Sequence, residues 1–464
     1  MLQVSVKTFA MAVLAAAVVG CPSGDRMRGS GSAPASASAS ASASGSASGS
    51  ASASASASGS GSASASGSAS ASALPPKLNV LLLSIDSLRA DMPWAGYPRP
   101  IAPRLTELEK KSVGYTRAYA ISSYTSMSLG GLLGGKLPSG MKRNGFFFGK
   151  YADDNLMFPE LLQKGGVRTL SAHAHNYFSS AGFEQGFDKW EIVPGIIFKN
   201  ETDINVTSPK HEEIAERLLS DPALDTTPFF AWFHFLDPHD QYVSHEKDGI
   251  PPYGKTLRDR YDAEVLFTDR HLGKLLDFIA QKSWAARTAI IVTADHGESF
   301  GEHNMYAHGF EVWENLVRVP MFFVIPGVAP KHVDVPRSAI DLAPTILALL
   351  GVAPDPGFEG KNLLPEITGK TAPEERDVVV DLPMTSDNDK RRALVHGTQK
   401  IVAYGKDEAL RLYDLAADPD EKSPITRGEA FDAMAKRYRE HAKTVKEVAP
   451  TACNVGCLNR AYAK

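Results

Sequence analysis

Leu78-Asn-Val-Leu-Leu-Leu-Ser-Ile-Asp86 is the stretch that decides the fold, because it is an almost continuous apolar run that ends on a carboxylate. Such a run is typical of a strand that is buried on both faces of a parallel sheet. Similar runs occur at 229–236, 289–293 and 321–325, and helical patterns alternate with them, notably at 258–281 and 341–350. The alternation predicts an α/β fold: a doubly wound, mostly parallel sheet flanked by helices.

Polar residues of interest follow the predicted strands. In a doubly wound sheet, ligands bind at the carboxyl ends of the strands, and Asp86, Asp237-Pro-His239 and Asp295-His296-Gly297 stand at such ends. Neighbouring strand residues point to opposite faces. Asp295 and His296 can therefore serve one site only where the strand breaks into a turn, which Gly297 permits. A carboxylate beside an imidazole suits Mn, Zn or Mg better than a calcium-only oxygen cage. The alternative is an ordinary turn with an incidental histidine.

Thr125 opens Thr125-Ser-Met-Ser-Leu-Gly-Gly-Leu-Leu-Gly-Gly135, a segment that predicts a helix with hydroxyls at its amino terminus. Free N–H groups and the helix dipole attract anions there and favour an alkoxide over a neutral hydroxyl. The alternative is that Thr125 is an ordinary helix cap. Four glycines make the helix intrinsically poor, which predicts close approach by a neighbouring strand.

Two isolated histidines are candidate substrate ligands. His239 lies in Asp237-Pro-His-Asp-Gln-Tyr242, and His308 lies in Tyr306-Ala-His-Gly309. A lone histidine is more often a satisfied structural group than a catalytic one, so the pattern alone leaves both interpretations open.

The two ends of the chain differ from its centre in amino-acid composition and sequence pattern. Residues 1–21 predict a signal segment, and Val18-Val-Gly-Cys21 resembles a bacterial lipobox in which Cys21 carries the lipid. Residues 22–76, rich in Ser, Ala and Gly, predict a disordered tether. Residues 77–370 form the predicted catalytic domain, and 371–464 a smaller α+β subdomain with strands within 392–404 and 410–414 and a helix over 428–448. Export would allow Cys453 and Cys457 to pair, although one helical turn would hold them awkwardly.

Composition narrows the function classes. The 464 residues are 43% hydrophobic and carry a net charge of -4, so a large packed core is possible and nothing favours nucleic-acid binding. We expect an exported, membrane-anchored lipoprotein, periplasmic or at the cell surface, with the membrane as one of its partners.

Several motifs in a fixed order resemble one family. They are Ser84-Ile-Asp86-Ser-Leu-Arg-Ala-Asp91, Ala102-Pro-Arg-Leu105, Thr125-Ser-Met-Ser128, Phe235-Leu-Asp-Pro-His-Asp240, Thr293-Ala-Asp-His-Gly-Glu298, Gly301-Glu-His303, Asp341-Leu-Ala-Pro-Thr345 and Leu412-Tyr-Asp-Leu-Ala-Ala-Asp-Pro419. Together they resemble the sulfatase family of the alkaline-phosphatase superfamily. The resemblance implies an alkaline-phosphatase-like fold and metal-dependent hydrolysis of sulfuric or phosphoric esters, with a small-molecule, glycan or lipid head-group ester as the substrate.

Carried over by position, the resemblance assigns roles to particular side chains. Thr125 falls on the nucleophile, and one divalent metal ion (Mn, Zn, Mg or Ca) falls on Asp86, Thr125, Asp295 and His296. Substrate contacts fall on His239 and His308, with His303 as a further histidine on the substrate side or just behind it.

The sequence departs from the family pattern at the nucleophile position and next to Asp86, and this leaves the type of reaction open. Family sulfatases oxidise a Cys or Ser to formylglycine, whereas Thr125 has no such product, and Ser87 replaces the second Asp of many members. The site is therefore similar to that of phosphoglycerol and phosphoethanolamine transferases, which use an unmodified Thr. Transfer at a membrane surface, a non-catalytic lipoprotein that retains the fold, and a two-zinc phosphodiesterase-type site stay open as alternatives. The two-zinc site would need a second set of ligands.

Overall fold

The computed structural model describes residues 78–194, 206–407 and 409–451. The predicted signal segment with Cys21, the tether 22–76, and Cys453 and Cys457 lie outside these residues. The boundary at 370/371 stays a prediction. Among the described residues, no helix combines the length and apolar character needed to cross a bilayer.

The described residues contain fifteen strands. They are β1 Asn79–Ile85, β2 Val113–Tyr115, β3 Ala118–Tyr119, β4 Arg168–His173, β5 Lys189–Ile192, β6 Phe229–Phe235, β7 Thr288–Ala294, β8 Arg318–Val319, β9 Met321–Val324, β10 Lys331–Val333, β11 Arg337–Ser338, β12 Val378–Leu382, β13 Arg391–His396, β14 Gln399–Tyr404 and β15 Ala409–Asp414.

The same residues contain nine α-helices. They are α1 Pro103–Glu109, α2 Thr125–Gly134, α3 Phe158–Lys164, α4 Ser208–Leu218, α5 Leu257–Ala280, α6 Glu314–Val317, α7 Leu342–Leu349, α8 Leu364–Ile367 and α9 Glu429–Ala442.

An eight-stranded sheet in the order β10-β2-β9-β7-β1-β6-β4-β5 forms the centre of the fold. Five neighbouring strands, β7-β1-β6-β4-β5, are parallel to one another and extend to one edge, which confirms the predicted sheet. β9 is the exception, since it runs antiparallel to both β7 and β2. The apolar run at 321–325 indicates burial on both faces and carries no information about strand direction, so assigning it to a parallel strand was wrong.

Helices cover both faces of this sheet. Along β1, Val80 and Leu82 pack into a core shared with α2, α3 and α7, whereas Leu81 and Leu83 pack into a second core shared with α1, α4 and α5. This double burial explains why the strand has no alternating polar residues. Because β1, β4, β6 and β7 are parallel, their carboxyl ends meet at one edge.

The carboxyl-terminal part forms a separate antiparallel sheet in the order β12-β13-β14-β15, packed with α9. The run predicted within 392–404 is two strands joined by a turn at Gly397, whose φ of 54° is left-handed. The last helix stops at Ala442, short of the predicted residue 448. β12, a buried apolar strand, escaped prediction.

Candidate active site

Thr125 is the first residue of α2, and its hydroxyl does not cap that helix. The N-cap position is Tyr124, which makes no side-chain capping bond. The Thr125 hydroxyl instead donates to Asp86 Oδ2 at 3.3 Å and lies 3.1 Å from His296 Nε2. The alternative of an ordinary cap therefore does not describe this residue, and its oxygen faces the carboxyl edge of the sheet.

The glycines of α2 make room for side chains, where the sequence predicted a neighbouring strand. A Cβ on Gly130 would lie 2.1 Å from Tyr151 Cζ, and one on Gly134 would lie 2.3 Å from Met141 Cε. Tyr151 also donates its phenol hydrogen to the Ser126 carbonyl at 3.2 Å. Close packing of these two side chains thus fixes the position of α2 and of Thr125 at its start.

Asp295 and His296 follow directly after β7, where the strand has already ended. Gly297 is required by close packing and not by a left-handed conformation, since a Cβ there would lie 2.1 Å from the Asn315 carbonyl oxygen. His296 Nδ1 lies 2.8 Å from the Gly297 carbonyl. Because a carbonyl can only accept, Nδ1 carries the proton and the Nε2 lone pair faces the site.

Two buried carboxylates share this site. His296 Nε2 lies 3.5 Å from Asp86 Oδ1 and 3.4 Å from Asp295 Oδ2. Burial, together with the charge of Asp86, raises the pKa of Asp295 to about 7. Burial would also raise the pKa of Asp86, but the charge of His239 and hydrogen bonds from two other histidines outweigh it and hold that pKa well below its usual range.

The residues present fit a divalent cation. Asp295 Oδ2 is buried and has no hydrogen-bond partner, although a buried carboxylate oxygen normally has one. Asp86, Asp295 and His296 each place a ligand atom within 4.8 Å of the others. A cation would offset the like charges, and two carboxylates, one imidazole and the Thr125 oxygen form a donor set suited to Mn, Zn or Mg.

Sequence reasoning missed two histidines at Asp86. His175, two residues after β4, places Nε2 2.5 Å from Asp86 Oδ2, and His234 of β6 places Nε2 3.3 Å from the same oxygen. Ligand-type atoms of these three residues also lie within 4.8 Å of one another. They are the one group in the described residues that would suit a second cation beside the first.

The hydrogen bonds around His234 indicate that its Nε2–H donates to Asp86. The Trp232 indole donates to Ser84 Oγ at 2.8 Å, and Ser84 Oγ lies 2.8 Å from His234 Nδ1. If Nδ1 held the ring proton, the buried Ser84 hydroxyl hydrogen would have no acceptor among these groups, at a cost of about 1–3 kcal/mol. The satisfied arrangement runs from Trp232 through Ser84 to His234, whose Nε2–H then donates to Asp86. We therefore assign His234 to holding Asp86, and the two-zinc alternative lacks a complete ligand set.

The predicted substrate histidines lie together beside this cluster. The His308 ring centroid is 4.2 Å from that of His296 and 5.0 Å from that of His239. His308 Nδ1 lies 3.3 Å from both carboxylate oxygens of Glu298, which also accepts the Tyr242 hydroxyl at 3.0 Å. Burial would lower the pKa of His308, but Glu298 outweighs it and raises that pKa to about 9.

Two other residues of the motifs lie in different surroundings. His303 stacks on Trp313 at 4.0 Å and lines a separate depression together with Arg258 and Asp420. The structure thus gives His303 no contact with the cluster described above. Asp237 accepts the Thr207 and Ser208 backbone N–H groups and so caps the start of α4, which is a structural role.

Comparison with known proteins places this geometry in a family. The family model described as Sulfatase matches residues 78–352, which is more than half of the chain. The chain belongs to the sulfatase family. The model described as N-sulphoglucosamine sulphohydrolase, C-terminal, matches residues 301–448.

Relatives of this sulfatase-family chain agree with that assignment. Ulvan-active sulfatase of Formosa agariphila is 25% identical over 66% of this chain and 68% of its own length. The solved structure of Ps i-CgsB has a TM-score of 0.69 at 19% identity, over 84% of this chain and 97% of that one. Phosphonate monoester hydrolase of Agrobacterium radiobacter has a TM-score of 0.66 at 17% identity, over 79% and 95%. The structural likenesses show the shared fold, and the family match makes this chain an ester hydrolase of the sulfuric-ester class.

Proposed function

We propose that this sulfatase-family enzyme cleaves sulfuric or phosphoric esters by attack of the Thr125 hydroxyl oxygen, beside a divalent cation held by Asp86, Asp295 and His296. One observation carries the proposal. Thr125 is 5% exposed and follows the N-cap residue of α2. Its Oγ1 atom lies 3.3 Å from Asp86 Oδ2 and 3.1 Å from His296 Nε2. The hydroxyl of Thr125 therefore contacts a carboxylate and an imidazole that follow two different strands of the sheet.

The reaction divides into two displacements. Thr125 Oγ1 gives up its proton and bonds to the sulfur or phosphorus centre while the bond from that centre to the leaving-group oxygen breaks, and that oxygen takes up one proton. Water then attacks the same centre, the bond to Thr125 breaks, and the threonine hydroxyl is restored. When bound, a divalent cation would lower the pKa of the threonine hydroxyl and offset charge on the transferred oxygens.

Other groups of the site bind and orient the substrate. The N-terminal N–H groups of α2 present a partial positive charge beside Thr125, where the transferred anionic group lies. The ring centroids of His308, which Glu298 contacts, and His239 are 5.0 Å apart, and the His308 centroid is 4.2 Å from that of His296. These two rings can bind charged oxygens of the substrate or protonate the leaving group.

Thr125→Ala tests this mechanism against a matched control. Ser126→Ala removes the next hydroxyl along α2, which is also buried but has no hydrogen-bond partner. We expect Thr125→Ala to lower kcat by roughly a thousandfold or more and Ser126→Ala to leave it almost unchanged. The substrates are an aryl sulfate, a phosphate monoester and a phosphodiester, each with Mn, Zn, Mg and Ca. Wild-type turnover by Thr125→Ala on all three would rule out the nucleophile.

Substrate class and location extend the proposal. Ps i-CgsB was also solved in complex with k-i-k-neocarrahexaose, which supports a glycan ester as one candidate substrate. The Cys21 motif supports anchoring at an exported membrane face. Replacing Cys21 with Ala should move the protein from the membrane fraction to the soluble fraction, and unchanged fractionation would refute the anchor.

A further inference from the structure

One loop at the carboxyl edge of the sheet carries His239. The chain from 236 to 245 follows β6 and contains neither a helix nor a strand. The His239 ring lies close to two other rings of the site, with centroid distances of 5.8 Å to His175 and 5.0 Å to His308. We call residues 236–245 the His239 loop.

The orientation of the His239 ring depends on the backbone of this loop. Its Nδ1 atom lies 2.6 Å from the Asp240 carbonyl oxygen. A carbonyl oxygen can only accept, so Nδ1 carries a proton and Nε2 is the nitrogen left to contact a substrate oxygen. A shift of the loop backbone would therefore move both the ring and the group that orients it.

Two side chains of α5 hold the His239 loop on either side of His239. The Thr268 hydroxyl donates to the Asp237 carbonyl oxygen at 3.0 Å, and Glu264 Oε1 accepts the Val243 N–H at 2.7 Å. Thr268 comes one helical turn after Glu264, so both lie on the same face of α5. The position of the loop thus depends on this face of the helix.

The same face of α5 also holds the loop that follows Asp86. Tyr261 comes one turn before Glu264, and its hydroxyl donates to the Ser87 carbonyl oxygen and accepts the Arg89 N–H, both at 2.9 Å. One helix therefore contacts both the loop of a cation ligand and the loop of a substrate histidine. The distance between the two loops is set by these α5 side chains.

Glu264 binds the His239 loop at two points. Besides the bond from Val243, its Oε2 atom lies 2.8 Å from His245 Nε2. Glu264 is buried, and burial raises the pKa of its carboxyl group to about 7, although the hydrogen bond with His245 opposes this shift. A hydrophobic side chain would avoid the cost of burying a carboxylate, which indicates that the two contacts serve more than packing.

We propose that Glu264 is a positioning residue, which fixes the His239 loop and thereby sets where the His239 ring lies relative to the cation ligands. The inference rests on the proposed function, because it requires His239 to contact the substrate. Glu264 acts through the loop and not on the substrate itself. The loss of Glu264 should therefore affect the reaction only while His239 is present.

A double-mutant cycle tests this role, because it measures whether two side chains act independently. Glu264→Met keeps most of the side-chain volume and removes both contacts with the loop. The substrate is whichever of an aryl sulfate, a phosphate monoester and a phosphodiester the wild type cleaves fastest. We expect Glu264→Met to lower kcat/KM roughly 10–100-fold, since a small misplacement of a reacting group can cost about a hundredfold. In the His239→Ala background the same change should cost about threefold or less.

Glu264→Gln and a distant pair supply the controls. The Gln amide oxygen can still accept the Val243 N–H, so this variant should recover most of the loss. Glu109→Met is the matched control, because Glu109 is also buried and its Oε1 atom lies 2.7 Å from Nε2 of His332 on the edge strand β10. It should lower stability in urea and leave kcat/KM unchanged.

Two results would overturn the positioning role. They are wild-type kinetics in Glu264→Met, and losses from Glu264→Met and His239→Ala that multiply in full when the two are combined. If Glu264→Met does not fold, Glu264→Asp, which shortens the side chain and keeps its charge, takes its place in the cycle. Failure of the proposed function is distinct from both results, because turnover would then not depend on Thr125.

Discussion

Ser84 offers the sharpest test of how the cation site is held. Its hydroxyl lies between the Trp232 indole and His234, at 2.8 Å from each, and so directs the His234 Nε2–H toward Asp86. In Ser84→Ala, His234 loses the group that sets its tautomer. With the proton on Nδ1, a lone pair would face the carboxylate, and Asp86 would lose one of the donors that orient it.

The structure sets the size of the effect. Removing the hydroxyl leaves two buried polar groups without partners, the Trp232 indole N–H and His234 Nδ1, at about 1–3 kcal/mol each in the free energy of unfolding. Partners that orient a metal ligand are typically worth 10–100-fold in metal affinity. We therefore expect Ser84→Ala to bind Mn or Zn about 10–100-fold more weakly, with a loss of roughly 2–6 kcal/mol in stability.

Trp232→Phe separates these two effects. It removes the indole N–H but leaves the Ser84 hydroxyl free to donate to His234. We expect it to lower stability while leaving metal affinity close to wild type. Affinity is measured by competition with a chelating indicator, and stability by urea unfolding in the presence of EDTA. The reasoning is refuted if Ser84→Ala keeps wild-type affinity, or if Trp232→Phe weakens binding as much as Ser84→Ala does.

Two further predictions concern stability and the position of α2. Burial would raise the pKa of Asp381, but the charge of Arg392 outweighs it and lowers that pKa. The ionised Asp381 therefore stabilises the folded state above about pH 4, and this contribution is lost as the pH falls further. Asp381→Asn should therefore lower the free energy of unfolding by about 3–5 kcal/mol at pH 7. Urea unfolding should show a smaller loss of stability at low pH in the variant than in the wild type, and an equal loss in the two proteins would contradict this. Gly130→Ala places a methyl 2.1 Å from Tyr151 Cζ and should cost about 1–3 kcal/mol and lower kcat by displacing α2. Gly140→Ala, whose nearest contact is 3.4 Å away, is the control, and equal kcat in the two variants would count against the packing argument.

Much of the fold was predictable because it depends on local patterns. Buried strands such as β1 have apolar residues at every position, and α5 shows helical periodicity over most of its 24 residues. The direction of β9 was not predictable, because burial determines which residues are apolar, whereas the order of the strands determines which way each one runs. The partners of the α2 glycines were likewise set by Tyr151 and Met141, which lie outside that helix.

The sequence by itself determined that Asp86, Asp295 and His296 would share one edge of the sheet, whereas only the family resemblance placed Thr125 beside them. Each acidic or imidazole side chain follows a buried strand, and the carboxyl ends of parallel strands share one edge. Only the tertiary structure decided what surrounds them. His234 pairs in register with Ser84 across two strands that are far apart in sequence, and ring contacts join Phe147 to Phe310 and Phe148 to Tyr177, which come from three separate segments. Contacts of this kind depend on strand order and loop packing, which leave no periodic pattern in the chain.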